Sequence, residues 1–373
     1  MVHLILTGAT GLVGSAVLSH ILSLPASATP QITRLSILTR NPNIALLASP
    51  PPLGTPSTNK HTKIEVIEHG HKDFDFDFGF GSGTFGSEVL EEKLRGADAC
   101  IWCLGVSQND VDPETYVRVT RDFAVNAARA FSTLSLKPAS SSVGQDSHNY
   151  NHNDATATAT ATGQGKKGEG EGEGEGKFKF IYVSGEGATQ TPSRFTPLYG
   201  RVKGETETAL LDLMATTSRR PEMRDKLSVY CVRPAAVDGT NQPWLWKEVL
   251  QNHRTGFQRF YLRLLMPPIR YLGRASWLSP TEELGRVLVE MALRDDESGG
   301  GGTTTSVQSR GTRSGEDGEE EGGEGEEAQE HMKGGGGYEM YGPDGLSGVG
   351  GRILDNVVLR RLGREALGER EMR

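Results

Sequence analysis

A doubly wound α/β fold with a parallel sheet is predicted for this 373-residue chain by two features of its pattern. Short apolar runs alternate with segments of helical period, as crossover connections between parallel strands require. A glycine-spaced turn, Gly8-x-x-Gly11-x-x-Gly14, stands where the first run hands over to the first helical segment.

The run Val2–Leu6 is short, apolar and bounded by Thr7-Gly8, the pattern of a strand buried on both faces. Leu12–Leu22 has apolar residues at helical spacing and ends before Leu24-Pro25. Arg34–Leu38 and Lys63–Glu68 read as the second and third strands, Val89–Leu94 as a helix and Ala99–Leu104 as the fourth strand. Pro113–Phe131 has helical period, Phe178–Val183 is a fifth strand, Leu198–Met214 a helix and Leu227–Val232 a sixth strand. Beyond Gly239, Pro280–Leu293 and Ile353–Leu362 read as helices.

Two tracts do not belong to any such element. Thr133–Gly176 runs through Ser, His and Asn into Ala-Thr and Gly-Glu repeats, and Asp295–Gly337 is a Gly/Thr/Ser run followed by a Gly/Glu run. Neither carries apolar residues at a helix or strand period, so both are expected to be disordered insertions. The expected organisation is a nucleotide-binding α/β domain in 1–132 and 177–240, insertions at 133–176 and 295–337, and a small substrate-side part in 241–294 and 338–373. The first insertion falls between a helix and the next strand, opposite the ligand crevice, where a long loop costs little.

The net charge of −8 belongs to the insertions. They hold 18 acids against 6 bases, and without them 34 bases face 30 acids, a net of +4. A mildly basic folded part suits a phosphate-bearing ligand and gives no case for nucleic acid. Cys100, Cys103 and Cys231 are odd in number and follow no secretory signal, which points to free thiols in a reducing, cytoplasmic setting. An apolar strand from Val2 is expected to leave no room for a leader, and no apolar stretch approaches the ~20 residues of a spanning helix.

The turn Thr7-Gly8-Ala9-Thr10-Gly11-Leu12-Val13-Gly14 has the chemistry of a diphosphate cradle. Gly8 permits the tight turn, Gly11 admits a phosphate to the backbone amides, and Gly14 lets the helix pack closely. The helix start supplies unpaired N–H groups and positive partial charge. The second strand ends in Thr39-Arg40, where selection of NAD calls for an acid and an Arg suits the 2′-phosphate of NADP; NADP is therefore expected over NAD.

Tyr199 and Lys203 are four apart on a predicted helix and share a face. An ammonium near a phenol lowers its pKa, which suits proton exchange with a carbonyl or alcohol oxygen. Ser184 follows the fifth strand at its carboxyl end, where ligands bind in sheets of this kind.

Thr7-Gly8-x-x-Gly11-x-x-Gly14, Ser184, Tyr199-x-x-x-Lys203 and Arg233-Pro234 together resemble the short-chain dehydrogenase/reductase superfamily in its atypical or extended branch. Ser184–Ala188 and Val202–Glu207 look most like the Tat-interacting oxidoreductase-like proteins and their fungal mitochondrial-surface relatives. The resemblance covers roughly residues 1–132 and 177–240. It implies a Rossmann fold, Tyr199 as acid/base, Ser184 as carbonyl orienter, Lys203 holding the nicotinamide ribose, and Leu104, Gly105 and Pro234 against the cofactor. It also implies a homodimer and, as an alternative to the cytoplasm, the mitochondrial outer-membrane surface. Two departures stand out. The superfamily's fourth-strand Asn-Ala-Gly is Cys103-Leu104-Gly105 here, and nothing matches its helix-borne Asn.

The activity expected is NADP(H)-dependent hydride transfer to or from a small carbonyl or alcohol. The alternatives are an NADP-binding regulatory module without turnover and an epimerase or dehydratase acting on a nucleotide sugar. Cys100-x-x-Cys103 reads as core thiols and His69–Asp77 as a solvated segment, so no metal is expected. Trp244–Arg274, with six Lys/Arg, one acid and interleaved aromatics, is expected to pack as a lid. Peripheral contact with an anionic membrane is its alternative.

Overall fold

The computed structural model of the protein describes residues 1–25, 31–48, 59–69, 88–134, 177–219, 226–243, 277–294 and 352–371. The repeat tracts, the Asp/Phe segment after His69 and the aromatic–basic segment Trp244–Arg274 lie outside these, apart from Thr133 and Leu134.

Seven parallel strands form the central sheet in the order β3-β2-β1-β4-β5-β6-β9. They are β1 (Val2–Thr7), β2 (Ile32–Thr39), β3 (Lys63–Glu68), β4 (Ala99–Trp102), β5 (Phe178–Val183), β6 (Leu227–Arg233) and β9 (Ile353–Asp355). The helices are α1 (Leu12–Ser23), α2 (Ala45–Ala48), α3 (Glu88–Leu94), α4 (Pro113–Val117), α5 (Phe123–Phe131), α6 (Leu198–Arg219), α7 (Thr281–Leu293) and α8 (Asn356–Glu371). The chain reverses its direction of travel across the sheet between β1 and β4, the switch point at which ligands of such sheets bind.

Because the side chains of each strand alternate, the sheet feeds two cores. Ile5, Cys100, Trp102, Phe178, Phe180, Tyr182 and Val229 face α3, α5 and α6. Leu4, Leu6, Ile101, Ile181, Val183 and Val232 face α1, α7 and α8. Such strands read as continuous apolar runs because both of their faces are covered.

Helix boundaries follow local chemistry. Asp112 caps α4, accepting from the Thr115 N–H at 2.8 Å, and Pro113 takes the first helical position, where no amide is needed. A single π turn, Arg118–Asp122, joins α4 to α5, so the helix expected over 113–131 is continuous but bulged in its middle. Gly285 lets α7 cross α1 at close range: a Cβ there would lie 2.7 Å from the Ala16 carbonyl oxygen.

One expectation needs correction. The segment Ile353–Leu362 is not one helix: Ile353 and Leu354 are buried as the edge strand β9, and Asp355 then caps α8 by accepting from the Val358 N–H at 3.0 Å. Of the part expected on the substrate side, residues 277–294 and 352–371 are described, and they pack against the main sheet. Their apolar residues, Leu284, Val287, Leu288, Leu354 and Leu359, complete the α1 side of the main core. Outside the main sheet, the described residues add the parallel pair β7 (Ala236–Asp238) and β8 (Leu278–Pro280).

Candidate active site

Parallel strands present their carboxyl ends on one rim. The residues that follow β1, β2, β4, β5 and β6 therefore share it: Gly8–Gly14, Arg40, Cys103–Gly105, Ser184–Gly185 and Pro234.

The glycine turn is built by close contact. Gly8 has φ +67°, a left-handed conformation, and a Cβ there would stand 2.5 Å from the Cys103 carbonyl oxygen. A Cβ on Gly14 would collide with the Gly8 carbonyl, so Gly14 packs α1 onto the turn rather than onto the strands themselves. The Gly11 N–H donates to Gly8 O at 2.9 Å, and Gly11 begins α1 with no side-chain cap. The first amides of α1 are thus left for an anion. Thr10, Leu12 and Val13 are half-buried around this terminus, with Val13 packed against the α1-side core.

Thr7, expected to touch cofactor, also holds the loop after β4. Its buried hydroxyl accepts from the N–H groups of Cys103, at 3.2 Å, and Leu104, at 3.3 Å. It pins the loop after β4 to the glycine turn. Leu104 packs its side chain against the core, which leaves its backbone to the rim, while Gly105 is exposed with open space where a Cβ would stand. The Thr39 hydroxyl donates to Asn41 O at 3.0 Å and accepts from the Asn41 N–H at 3.2 Å. Arg40 beside it is exposed and makes no ion pair with another described residue.

Ser184, Tyr199 and Lys203 come together at the end of β5. Ser184 is 7% exposed, and its buried Oγ has no hydrogen-bond partner among the described residues. An orphaned buried hydroxyl costs free energy, and such groups mark sites where another molecule completes the bond. The Tyr199 hydroxyl occupies the space a Cβ on residue 185 would fill, so Gly185 is what admits the phenol beside Ser184. Pro234 O accepts from the Glu186 N–H at 2.8 Å and ties the ends of β5 and β6 together.

Lys203 is 8% exposed; its Nζ donates to Val183 O at 3.0 Å and lies 4.9 Å from the centre of the Tyr182 ring. Burial lowers its pKa from 10.5 to about 8, opposed by Glu207, Cys103 and Cys231. The expectation that Lys203 lowers the Tyr199 pKa is not met in this arrangement. Burial first, then Tyr116, Glu207 and Glu186, push the phenol up to about 12, and Arg233 is the cation that opposes them. The ammonium donates instead to the Val183 carbonyl.

Several residues here were not singled out from sequence. Glu207, fully buried, takes a bidentate ion pair from Arg233, with Nε at 2.9 Å from Oε1 and Nη2 at 2.5 Å from Oε2. Its signal was legible, since 199, 203 and 207 share one helical face. Gly200 and Gly204 press α6 onto the turn after β5, because a Cβ on either would collide with the backbone of Gly187 or Thr189. Gln108 accepts from the Tyr199 N–H at 2.9 Å, a contact spanning 91 residues that no local pattern announces.

The cysteines are buried or half-buried and free, and burial raises the pKa of each. Among the described residues, no group of three or more His, Cys, Asp or Glu is placed to hold a metal ion, and no helix is long and apolar enough to cross a membrane.

No protein-family model matches the chain. It is similar to leucinostatins biosynthesis cluster protein T of Purpureocillium lilacinum, 26% identical over 308 residues that cover 79% of this chain and 86% of that protein. It is also similar to botcinic acid biosynthesis cluster B protein 16 of Botryotinia fuckeliana (strain B05.10), 37% identical over 112 residues that cover 30% of this chain and 65% of that protein. Among solved structures, it is similar in shape to the PhqB reductase domain from Penicillium fellutanum, with a TM-score of 0.42 and 15% identity over 78% of this chain, which spans 64% of that one.

Proposed function

We propose that the protein is an NADP(H)-dependent oxidoreductase of the short-chain dehydrogenase/reductase superfamily acting on a small carbonyl or alcohol. One observation carries the reading: the buried, unpartnered Ser184 Oγ is at the end of β5, where the Tyr199 phenol stands against Gly185 and the buried Lys203 donates to Val183 O, on the rim that also holds the uncapped start of α1. The residues fit a dinucleotide. The amides after Gly11 would take the diphosphate, Gly105 leaves open space along the rim, and the exposed Arg40 would take the 2′-phosphate.

When bound, the nicotinamide supplies or accepts the hydride. Ser184 Oγ donates to the substrate oxygen and fixes its place. Tyr199 gives that oxygen its proton in reduction and removes it in oxidation. With its pKa near 12, the phenol is protonated at neutral pH, the starting form for carbonyl reduction. Lys203 would turn from Val183 O to a ribose hydroxyl and to the phenolate. Gly185 and Pro234 are buried beside the phenol. Both curated relatives carry the names of biosynthesis clusters, which supports a small organic molecule as substrate.

Binding without turnover is the second reading, and the Lys203–Val183 hydrogen bond favours it, because it engages the ammonium with the backbone.

Replacing Arg40 by Asp tests the cofactor. NADPH affinity, read by the quenching of its fluorescence, should fall by about 10- to 100-fold, the scale of a lost charge-assisted contact. NADH should change little. Equal losses for both nucleotides contradict the assignment.

A further inference from the structure

The loop from Cys103 to Asp112 touches both halves of the site. Its start is held to the glycine turn, by the Thr7 hydroxyl on the Cys103 and Leu104 amides and by Gly8 lying against the Cys103 carbonyl. Its middle is a tight turn, with the Asp110 N–H on Ser107 O at 3.0 Å and the Asn109 N–H on Ser107 Oγ at 3.2 Å. Its end is the Asp112 cap of α4. From that fixed turn the Gln108 side chain crosses to α6, and its Oε1 accepts from the Tyr199 N–H at 2.9 Å.

The Tyr199 amide is one of the N–H groups that a helix start cannot satisfy internally. α6 carries no acid in its first turn, so a side chain 91 residues away supplies the acceptor. The same residue bears the phenol. A shift of Gln108 therefore moves the start of α6, and with it the hydroxyl that stands against Gly185.

We propose that Gln108 is a positioning residue that couples occupancy of the dinucleotide site to the placement of Tyr199, through the loop Cys103–Asp112. The inference rests on the reading above that a nicotinamide dinucleotide binds along this rim. Ligand contacts that steady Cys103–Gly105 steady Gln108, and through its hydrogen bond they steady the first turn of α6. Linkage makes the effect reciprocal: whatever factor NADP+ lends to the Gln108–Tyr199 bond, that bond lends to NADP+.

The test is hydrogen exchange at the Tyr199 amide of the full chain, with and without saturating NADP+, beside NADP+ titrations. In the wild type, NADP+ should slow this amide by about three- to tenfold, the scale of one hydrogen bond. Gln108→Ala should abolish that slowing and weaken NADP+ by a similar factor. Gln108→Glu keeps an acceptor oxygen at a helix start that favours negative charge, and it should restore both. A merely structural role would raise exchange in Gln108→Ala equally with and without NADP+. Binding of NADP+ to the wild type with no slowing at Tyr199, or slowing retained in Gln108→Ala, overturns the inference alone. Absence of NADP+ binding to the wild type overturns the cofactor reading and the coupling with it.

Discussion

Tyr199→Phe is expected to lower NADPH-dependent carbonyl reduction by about 10²- to 10⁴-fold, the usual contribution of a positioned acid. NADPH affinity should be unchanged. The substitution deletes one oxygen and keeps the ring, so the packing of α6 against the turn after β5 is preserved. The residues assigned to the nucleotide, from Gly8 to Gly14 and at Arg40, lie on other strands' ends. The loss should therefore fall on kcat and kcat/KM alike, because the proton is needed only in the transition state. A panel of aldehydes and ketones, followed by NADPH absorbance, reads it. Unchanged turnover in Tyr199→Phe contradicts the assignment of the acid. Tight NADPH binding with no turnover on the panel, in the wild type as well, favours the regulatory reading.

The second large effect is on stability. Glu207 is fully buried and Arg233 is 7% exposed, and the pair is bidentate. Glu207→Leu leaves a buried guanidinium without its carboxylate and should destabilise the fold by about 3–5 kcal/mol, read from urea midpoints. The double variant Glu207→Leu, Arg233→Met should recover most of that loss, since two apolar side chains carry no uncompensated charge. Activity should not recover with it. Burial holds the Lys203 pKa down and Glu207 is the first group opposing that, so its removal drives Lys203 further below about 8. The ammonium's titration then moves to lower pH, so turnover that depends on it should weaken at neutral pH and recover as pH falls. A double variant that regains both stability and neutral-pH turnover contradicts this electrostatic role.

Local pattern explains what was legible in the sequence. β1 and β5 were readable because a strand buried on both faces is an unbroken apolar run, β3 because its apolar residues alternate, and α1 because its apolar residues recur at helical spacing. The turn Gly8–Gly14, and Tyr199 with Lys203, were readable because turn geometry and helical spacing are local rules. What was missed depends on distant partners. Ile353 and Leu354 carry a helical pattern onward, yet the free edge of β6 takes them as a strand. The π turn at Arg118–Asp122 has no marker in an apolar period. The hold of the Thr7 hydroxyl on the loop after β4 joins residues 96 and 97 apart, which no local pattern announces. The direction of Lys203 is set by the end of β5, which spacing on α6 does not encode.

A crystal structure of the protein with NADP+ tests the central claim most directly. The diphosphate should lie on the amides after Gly11, with the 2′-phosphate at Arg40 and the nicotinamide between Ser184 and Pro234, within reach of Tyr199. A diphosphate bound elsewhere, or a nicotinamide ring far from the phenol, would contradict it.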